Sequence, residues 1–182
     1  MFKKSVIFIF AALFLAGCAA PPPLDFTVEN VGMIDNRKDA ELRSLTVGYA
    51  SQKQQRTVQS NHEIPPLWKE ALQDAINRSL AFKDDGTRKV NLSVRIIEMD
   101  IPEFGGAMTT KAAAIYEIVD RANGDLLFAQ TVESEGVVPF DYAFVGYVRA
   151  MESVNRAVRN NIADFIGQLE NADLQKPVFL GK

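Results

Sequence analysis

The feature that most constrains this fold is a run of period-two hydrophobicity in the middle of the chain. Val90, Leu92, Val94 and Ile96 alternate with Asn91, Ser93 and Arg95. That spacing puts the apolar side chains on one face of a strand running to about Ile101. Pro102-Glu103-Phe104-Gly105-Gly106 interrupts it, and residues 108–119 resume as a strand through Ile115, Tyr116, Ile118 and Val119. Asn123-Gly124 is a hairpin signal, and Leu126 to Val132 returns as the partner strand. Three consecutive strands of this kind predict an antiparallel meander, whose apolar face needs a second layer to cover it.

Two helices supply that layer. Ile64-Pro65-Pro66 opens the first, since proline is tolerated in a first turn, where its missing N–H has no partner to lose. Leu67, Trp68, Ala71, Leu72, Ala75, Ile76 and Leu80 form its apolar stripe, and Lys83-Asp84-Asp85-Gly86 ends it. The second helix is expected from about Tyr142 to Asn171, with Val148, Met151, Val154, Val158, Ile162, Phe165 and Leu169 recurring at three and four residues. Upstream, Leu45, Val47 and Tyr49 alternate as a half-buried strand, and Phe26-Thr27-Val28 alternates weakly as a first one. Residues 34–43 read as a loop or short helical turn, and Ser51 to Asn61, rich in glutamine, as a solvated connector. The predicted order is β-β-α-β-β-β-α. The fold class is therefore α+β, a two-layer sandwich with a mostly antiparallel sheet of four to five strands and two helices on one face.

The start of the chain reads differently. Lys3 and Lys4 precede an apolar run from Val6 to Leu15, a length that suits a secretory signal and is too short to span a bilayer. Leu15-Ala16-Gly17-Cys18 closes that run. These residues resemble the lipobox of bacterial lipoproteins. The resemblance covers residues 1–18 and implies signal-peptidase recognition through Leu15, Ala16 and Gly17, and cleavage before Cys18. It further implies a diacylglyceryl thioether on the Cys18 sulfur and an acyl chain on the new amino group. Ala19 stands where inner-membrane-retained lipoproteins of enterobacterial type carry Asp, so the resemblance points to the outer membrane, facing the periplasm. The expected organisation is a signal peptide over 1–17, a lipidated linker over 18–25 containing Pro21-Pro22-Pro23, one domain over 26–175 and a tail over 176–182.

Composition then removes several function classes. Cleavage takes the first 17 of 182 residues, leaving 165, enough for one well-filled core. Of 20 basic and 23 acidic residues only Lys3 and Lys4 are lost, so the mature chain carries 18 against 23, a net charge of −5. With no basic block, nucleic acid is an unsuitable partner, and anchoring falls to the acyl chains rather than to anionic headgroups. Cys18 is the only cysteine, so no disulfide is available once it is acylated.

Ala112-Ala113-Ala114-Ile115-Tyr116-Glu117-Ile118-Val119-Asp120 followed by Asn123-Gly124-Asp125-Leu126-Leu127-Phe128 is similar to a pattern of small periplasm-facing lipoproteins. Penicillin-binding-protein activators, curli-secretion lipoproteins and YajG-like lipoproteins share it. The resemblance spans some twenty residues and implies an α+β sandwich that binds other envelope proteins.

No catalytic set or cofactor motif emerges from the residues. His62 is the only histidine, which excludes sites that need two or three imidazoles, and it sits in a polar connector. No Gly-x-Ser-x-Gly elbow surrounds a serine, and no phosphate-cradling glycine pattern surrounds Gly105-Gly106. Glu98, Asp100 and Glu103 form one carboxylate cluster, read as a solvent face with Ile97, Met99 and Ile101 pointing inward. Aromatics gather before the last helix. Phe144 and Tyr147 are expected in the core, as is Trp68, whereas Phe140 and Tyr142, together with Phe104, Gly105 and Gly106, are the partner-contact candidates. The expectation is a non-catalytic accessory or assembly factor acting by protein–protein contacts. A small-molecule or lipid carrier and an envelope enzyme acting on glycan or acyl substrates are the alternatives.

Overall fold

A computed structural model of the chain describes residues 22–178. Leu15, Ala16, Gly17 and Cys18 lie outside the described residues, as do Phe179 and Leu180. The order is β1 (Ala40–Tyr49), α1 (Ile64–Ser79), β2 (Arg88–Asp100), β3 (Met108–Asp120), β4 (Leu126–Val138), a 3-10 turn (Phe140–Tyr142) and α2 (Gly146–Glu170). The strands form one sheet in the order β1-β2-β3-β4. Both helices cover the same face, α2 over β3 and β4 and α1 over β1. The α+β two-layer sandwich follows from the sequence pattern as expected.

The meander is antiparallel throughout, and its register stacks Leu92, Ile118 and Phe128 in one inward row and Ile96, Ala114 and Val132 in another. Gly124 takes φ 80° in the turn between β3 and β4, a conformation glycine adopts without a Cβ penalty. β1 pairs with β2 in parallel, because α1 lies between them and carries the chain back to the same end of the sheet.

Several local features depart from the sequence pattern. Phe26-Thr27-Val28 joins no ladder. Phe26 and Val28 are buried in the core while Thr27 faces out, so the alternation reflects packing without a strand partner. β1 begins at Ala40, within the stretch read as loop or turn. The 51–61 connector is not simply solvated. Where β1 ends, Arg56 N–H donates to Ile97 O (2.7 Å), Met99 N–H to Thr57 O (2.8 Å) and Gln59 N–H to Met99 O (3.0 Å). α1 stops at Ser79, and Leu80 caps it at φ 53°, exposed and no longer part of the stripe.

A register shift lies between Ile96 and Glu98. It sends Ile96 and Met99 into the main core and Ile97 to the opposite face, against Ala50, Ala113 and Ile115. A bulge inserts one residue and flips the alternation beyond it. The reading of Ile97 as inward is thereby corrected.

Between sheet and helices lies a polar junction. Trp68 Nε1 donates to Tyr116 Oη (3.2 Å), and Tyr116 Oη donates to Asn161 Oδ1 (2.9 Å). Asn161 Nδ2 continues to Val132 O (2.9 Å) and Ser134 Oγ (3.0 Å). The Tyr116 ring stacks on Phe165 with centroids 4.2 Å apart. Burial pushes the Tyr116 phenol above its usual range. α2 packs directly on the backbone of β4 at Gly136, where a Cβ would stand 2.1 Å from Ser153 O.

Candidate functional site: an aromatic pole

The ends of β1, β2 and β4 and the start of β3 meet at one pole of the sheet. Three connections meet there: residues 50–63 between β1 and α1, residues 101–107 between β2 and β3, and residues 139–145 between β4 and α2, and the aromatics lie on the last two. Pro139, which cannot extend a ladder, ends β4, and the 3-10 turn leads the chain over to the helix layer. Periodicity places the helix start at Tyr142, but α2 begins at Gly146. That shift overturns the expectation for two aromatics: Phe144 is 93% exposed, and Tyr147 projects outward from the first turn.

The two connections are tied by one side chain. Arg149 is buried, and its Nη1 donates to Ala143 O (2.5 Å) and Phe144 O (3.0 Å) while Nη2 donates to Gly105 O (3.1 Å). Its guanidinium also lies 4.9 Å from the Phe140 ring centroid. A Cβ on Gly106 would stand 4.0 Å from the Phe140 ring. Arg156, paired with Glu152 one turn earlier (2.9 Å), lies over the Tyr142 ring at 5.3 Å and donates to Val137 O (2.8 Å).

The structure thus brings Phe104, Gly105 and Gly106 together with Phe140 and Tyr142. Phe104 is 89% exposed, and Phe140 and Tyr142 are also open to solvent. The organising residue, Arg149, was not legible as such, because a single arginine at a helix start reads as solvated. An apolar surface gathered at one end of a domain marks a contact site more than a reaction site.

Other sequence candidates do not converge. Glu98 is held by Arg56 (3.0 Å), which also bridges to Glu133 (2.7 Å) on the outer sheet face. Glu103 is exposed on the β2–β3 connection, and His62 is exposed in the turn before α1. Among the described residues no group of three His, Cys, Asp or Glu could hold a metal ion. The space between the layers is filled by Trp68, Tyr116, Phe165 and their neighbours. A groove of about 760 Å3 does run along β4 and α2, lined by Leu127, Phe128, Thr131, Asp164 and Ala172, but it is open to solvent. Burial raises the Asp164 carboxyl above the usual carboxylate range.

No family model matches the sequence, and no curated protein matches it. Solved structures do share its architecture. A protein of the DUF330 family from Xanthomonas campestris superposes with a TM-score of 0.54 at 7% identity, covering 82% of this chain and 92% of that one. The class defined here is therefore the α+β fold of that structure. A candidate lipoprotein from Caulobacter crescentus has a TM-score of 0.45 at 12% identity, over 73% of this chain and 88% of that one. The PelC dodecamer from Paraburkholderia phytofirmans has a TM-score of 0.42 at 9% identity, over 80% and 91%.

Proposed function

We propose that the protein is a lipid-anchored envelope lipoprotein, acylated on Cys18 and facing the periplasm from the outer membrane. Its domain serves as a non-catalytic accessory or assembly factor that works by contact with other envelope components, a protein partner among them. The lipobox and Ala19 support the anchoring and its address. The observation that carries the contact reading is the aromatic pole: exposed rings on two loops that a buried arginine holds in fixed relation. Rigid aromatics give a large contact area at small entropic cost, which suits a docking surface.

The test combines mass spectrometry of the mature N-terminus, membrane fractionation and in-cell crosslinking, for the native chain and for Cys18→Ser. An acylated N-terminus, outer-membrane fractionation lost in Cys18→Ser, and a discrete crosslinked envelope protein are the expected results. Unchanged fractionation of Cys18→Ser rejects the lipoprotein reading. An anchored protein without a crosslinked partner rejects the accessory role.

A further inference from the structure

We propose that the aromatic pole is a lipid-docking surface, with Phe104, Phe140, Phe144 and Tyr147 seated at the headgroup boundary of the leaflet that holds the anchor. The inference rests on acylation of Cys18, and it names the first contact made by the pole. Three observations carry it.

The first is the direction of the N-terminal segment. Asn155 of α2 binds Pro23 O (3.1 Å) and Asp25 N–H (3.0 Å). Further along, Arg78 of α1 binds Val28 O and Glu29 O, Ile34 N–H donates to Ser79 O (3.0 Å), and Lys38 N–H to Ala81 O (2.8 Å). The segment therefore descends between the helices toward the C-terminal end of α1. At its upper end, Pro23 and Leu24 share a groove with His62, Pro66 and Leu67 at the start of α1. Traced backwards, the segment heads for the end where both helices begin, which is the end bearing the aromatics.

The second is reach. Asn155 lies nine residues beyond Gly146 along α2, about 14 Å at a helical rise of ~1.5 Å per residue. Cys18 precedes Pro23 by five residues, which span at most about 17 Å when fully extended. The lipidated residue can thus reach the level of the pole but cannot stand the domain clear of the bilayer. A tether this short keeps whichever surface lies at that pole against the membrane.

The third is chemistry. Residues 101–107 and 139–147 contain Glu103 and Asp141 and no lysine or arginine. The 50–63 connection at the same end adds Lys53, Glu63 and Arg56, the last paired with Glu98 and Glu133, so the pole carries no basic excess. Phe104, Phe140 and Phe144 are exposed on the two loops of the pole and Tyr147 on the first turn of α2. Aromatic side chains settle at the boundary between headgroups and acyl chains without needing anionic lipid. Contact of this kind depends on apolar insertion and is insensitive to headgroup charge.

The acylated chain offers a direct assay, because the Cys18 sulfur is consumed as a thioether and a new cysteine is then the sole thiol. Phe104→Cys and Phe144→Cys at the pole, and Asn123→Cys at the opposite turn, each take an environment-sensitive nitrobenzoxadiazole label. The labelled, acylated proteins are reconstituted in vesicles of zwitterionic phosphatidylcholine and phosphatidylethanolamine. The expected result is blue-shifted emission at positions 104 and 144, with loss of most of it to lipid-borne nitroxide, unchanged by salt, while position 123 stays aqueous. Aqueous emission at all three positions overturns the docking. A shift in native membranes that is absent from pure lipid vesicles overturns it as well, and assigns the pole to a protein. Mass spectrometry of the same samples separates the two claims: a chain without acyl groups rejects the anchoring, and an acylated chain with aqueous labels rejects the docking alone.

Discussion

Tyr116→Phe isolates the polar junction on which both helices are seated. The substitution keeps the ring and its stack on Phe165 and removes one oxygen. That oxygen accepts from Trp68 Nε1 and donates to Asn161 Oδ1, and all three side chains are fully buried. Without it, an indole N–H and an amide oxygen are left unpaired where water cannot reach. Each buried orphan costs about 1–3 kcal/mol. The Asn161 amide keeps its bonds through Nδ2 to Val132 O and Ser134 Oγ, so it cannot turn its oxygen elsewhere without losing them. The loss should total about 3 kcal/mol, a large part of the ~5–15 kcal/mol that holds a typical domain.

Urea and thermal unfolding followed by circular dichroism measure this loss, with a fall in Tm of about 6–12 °C for a domain of this size. Adding Trp68→Phe removes the orphaned donor, so the double variant should lose less than the sum of the two single losses. The pH dependence provides a second reading. Burial raises the phenol pKa above its ordinary value of 10.0, so the neutral form is common to both states below that value. Above it the unfolded chain ionises and the folded chain does not. Tyr116 therefore contributes a fall in native stability of about 1.4 kcal/mol per pH unit as pH rises beyond 10. Tyr116→Phe removes that contribution, while those of Tyr49, raised by burial, and Lys38, lowered by burial, remain in both proteins. A Tyr116→Phe domain within ~0.5 kcal/mol of the parent would show that the junction carries no weight and refute the reasoning.

Gly136→Ala places a methyl group 2.1 Å from Ser153 O and 2.4 Å from Ala157 N, so α2 must shift and stability should drop by about 1–3 kcal/mol or more. Gly48→Ala, with nothing within 4 Å, is the matched control for urea titration. Asp164 is exposed at the mouth of the groove and only partly desolvated there, so Asp164→Asn should stabilise the domain slightly at neutral pH. Burial raises the Asp164 pKa, so its contribution is present below the ordinary 3.8 and is lost as pH rises through the folded value. The advantage of Asn should shrink in unfolding curves taken near pH 3, and an advantage independent of pH would contradict this. Arg149→Leu strips donors from the carbonyls of Ala143, Phe144 and Gly105, and should raise amide hydrogen exchange in residues 101–107 and 139–146 while leaving the β2–β3 ladder protected. Uniform loss of protection would mean that Arg149 supports the whole fold.

The meander was legible because alternation at Val90–Ile96 and the Asn123-Gly124 turn are local signals that tertiary packing did not override. The parallel seat of β1 was less so, since Leu45, Val47 and Tyr49 show that a strand exists but not which neighbour it takes across a 38-residue connection. The bulge at Ile97 shows in the sequence as a switch of apolar positions from even numbers, Val90 to Ile96, to odd ones, Met99 and Ile101, but that switch does not say which of Ile96 and Ile97 turns to the outer face. Helical spacing extended backwards through the 3-10 turn put Phe144 and Tyr147 in the core, although the chain there is still crossing from sheet to helix layer. At the pole, Phe104, Phe140 and Tyr142 stood out because glycine, proline and acidic neighbours marked their segments as loops. Arg149 did not, because burial of a guanidinium by three backbone carbonyls is decided by how two distant loops meet.

The two polar arrangements divide the labour of the fold. Around Tyr116 the bonds join side chains of both helices to the sheet, in a region where secondary structure already satisfies the backbone. At the pole the backbone of two connections lacks ladder partners, and a buried charged side chain supplies donors in their place. A guanidinium suits that task because its planar fork presents several donors in fixed directions, which an ammonium on a flexible stem does not. Loops fixed in this way can carry large exposed aromatics without burying them in their own core. The first arrangement secures the sandwich, and the second allows one end of it to remain apolar, shaped and open for contact.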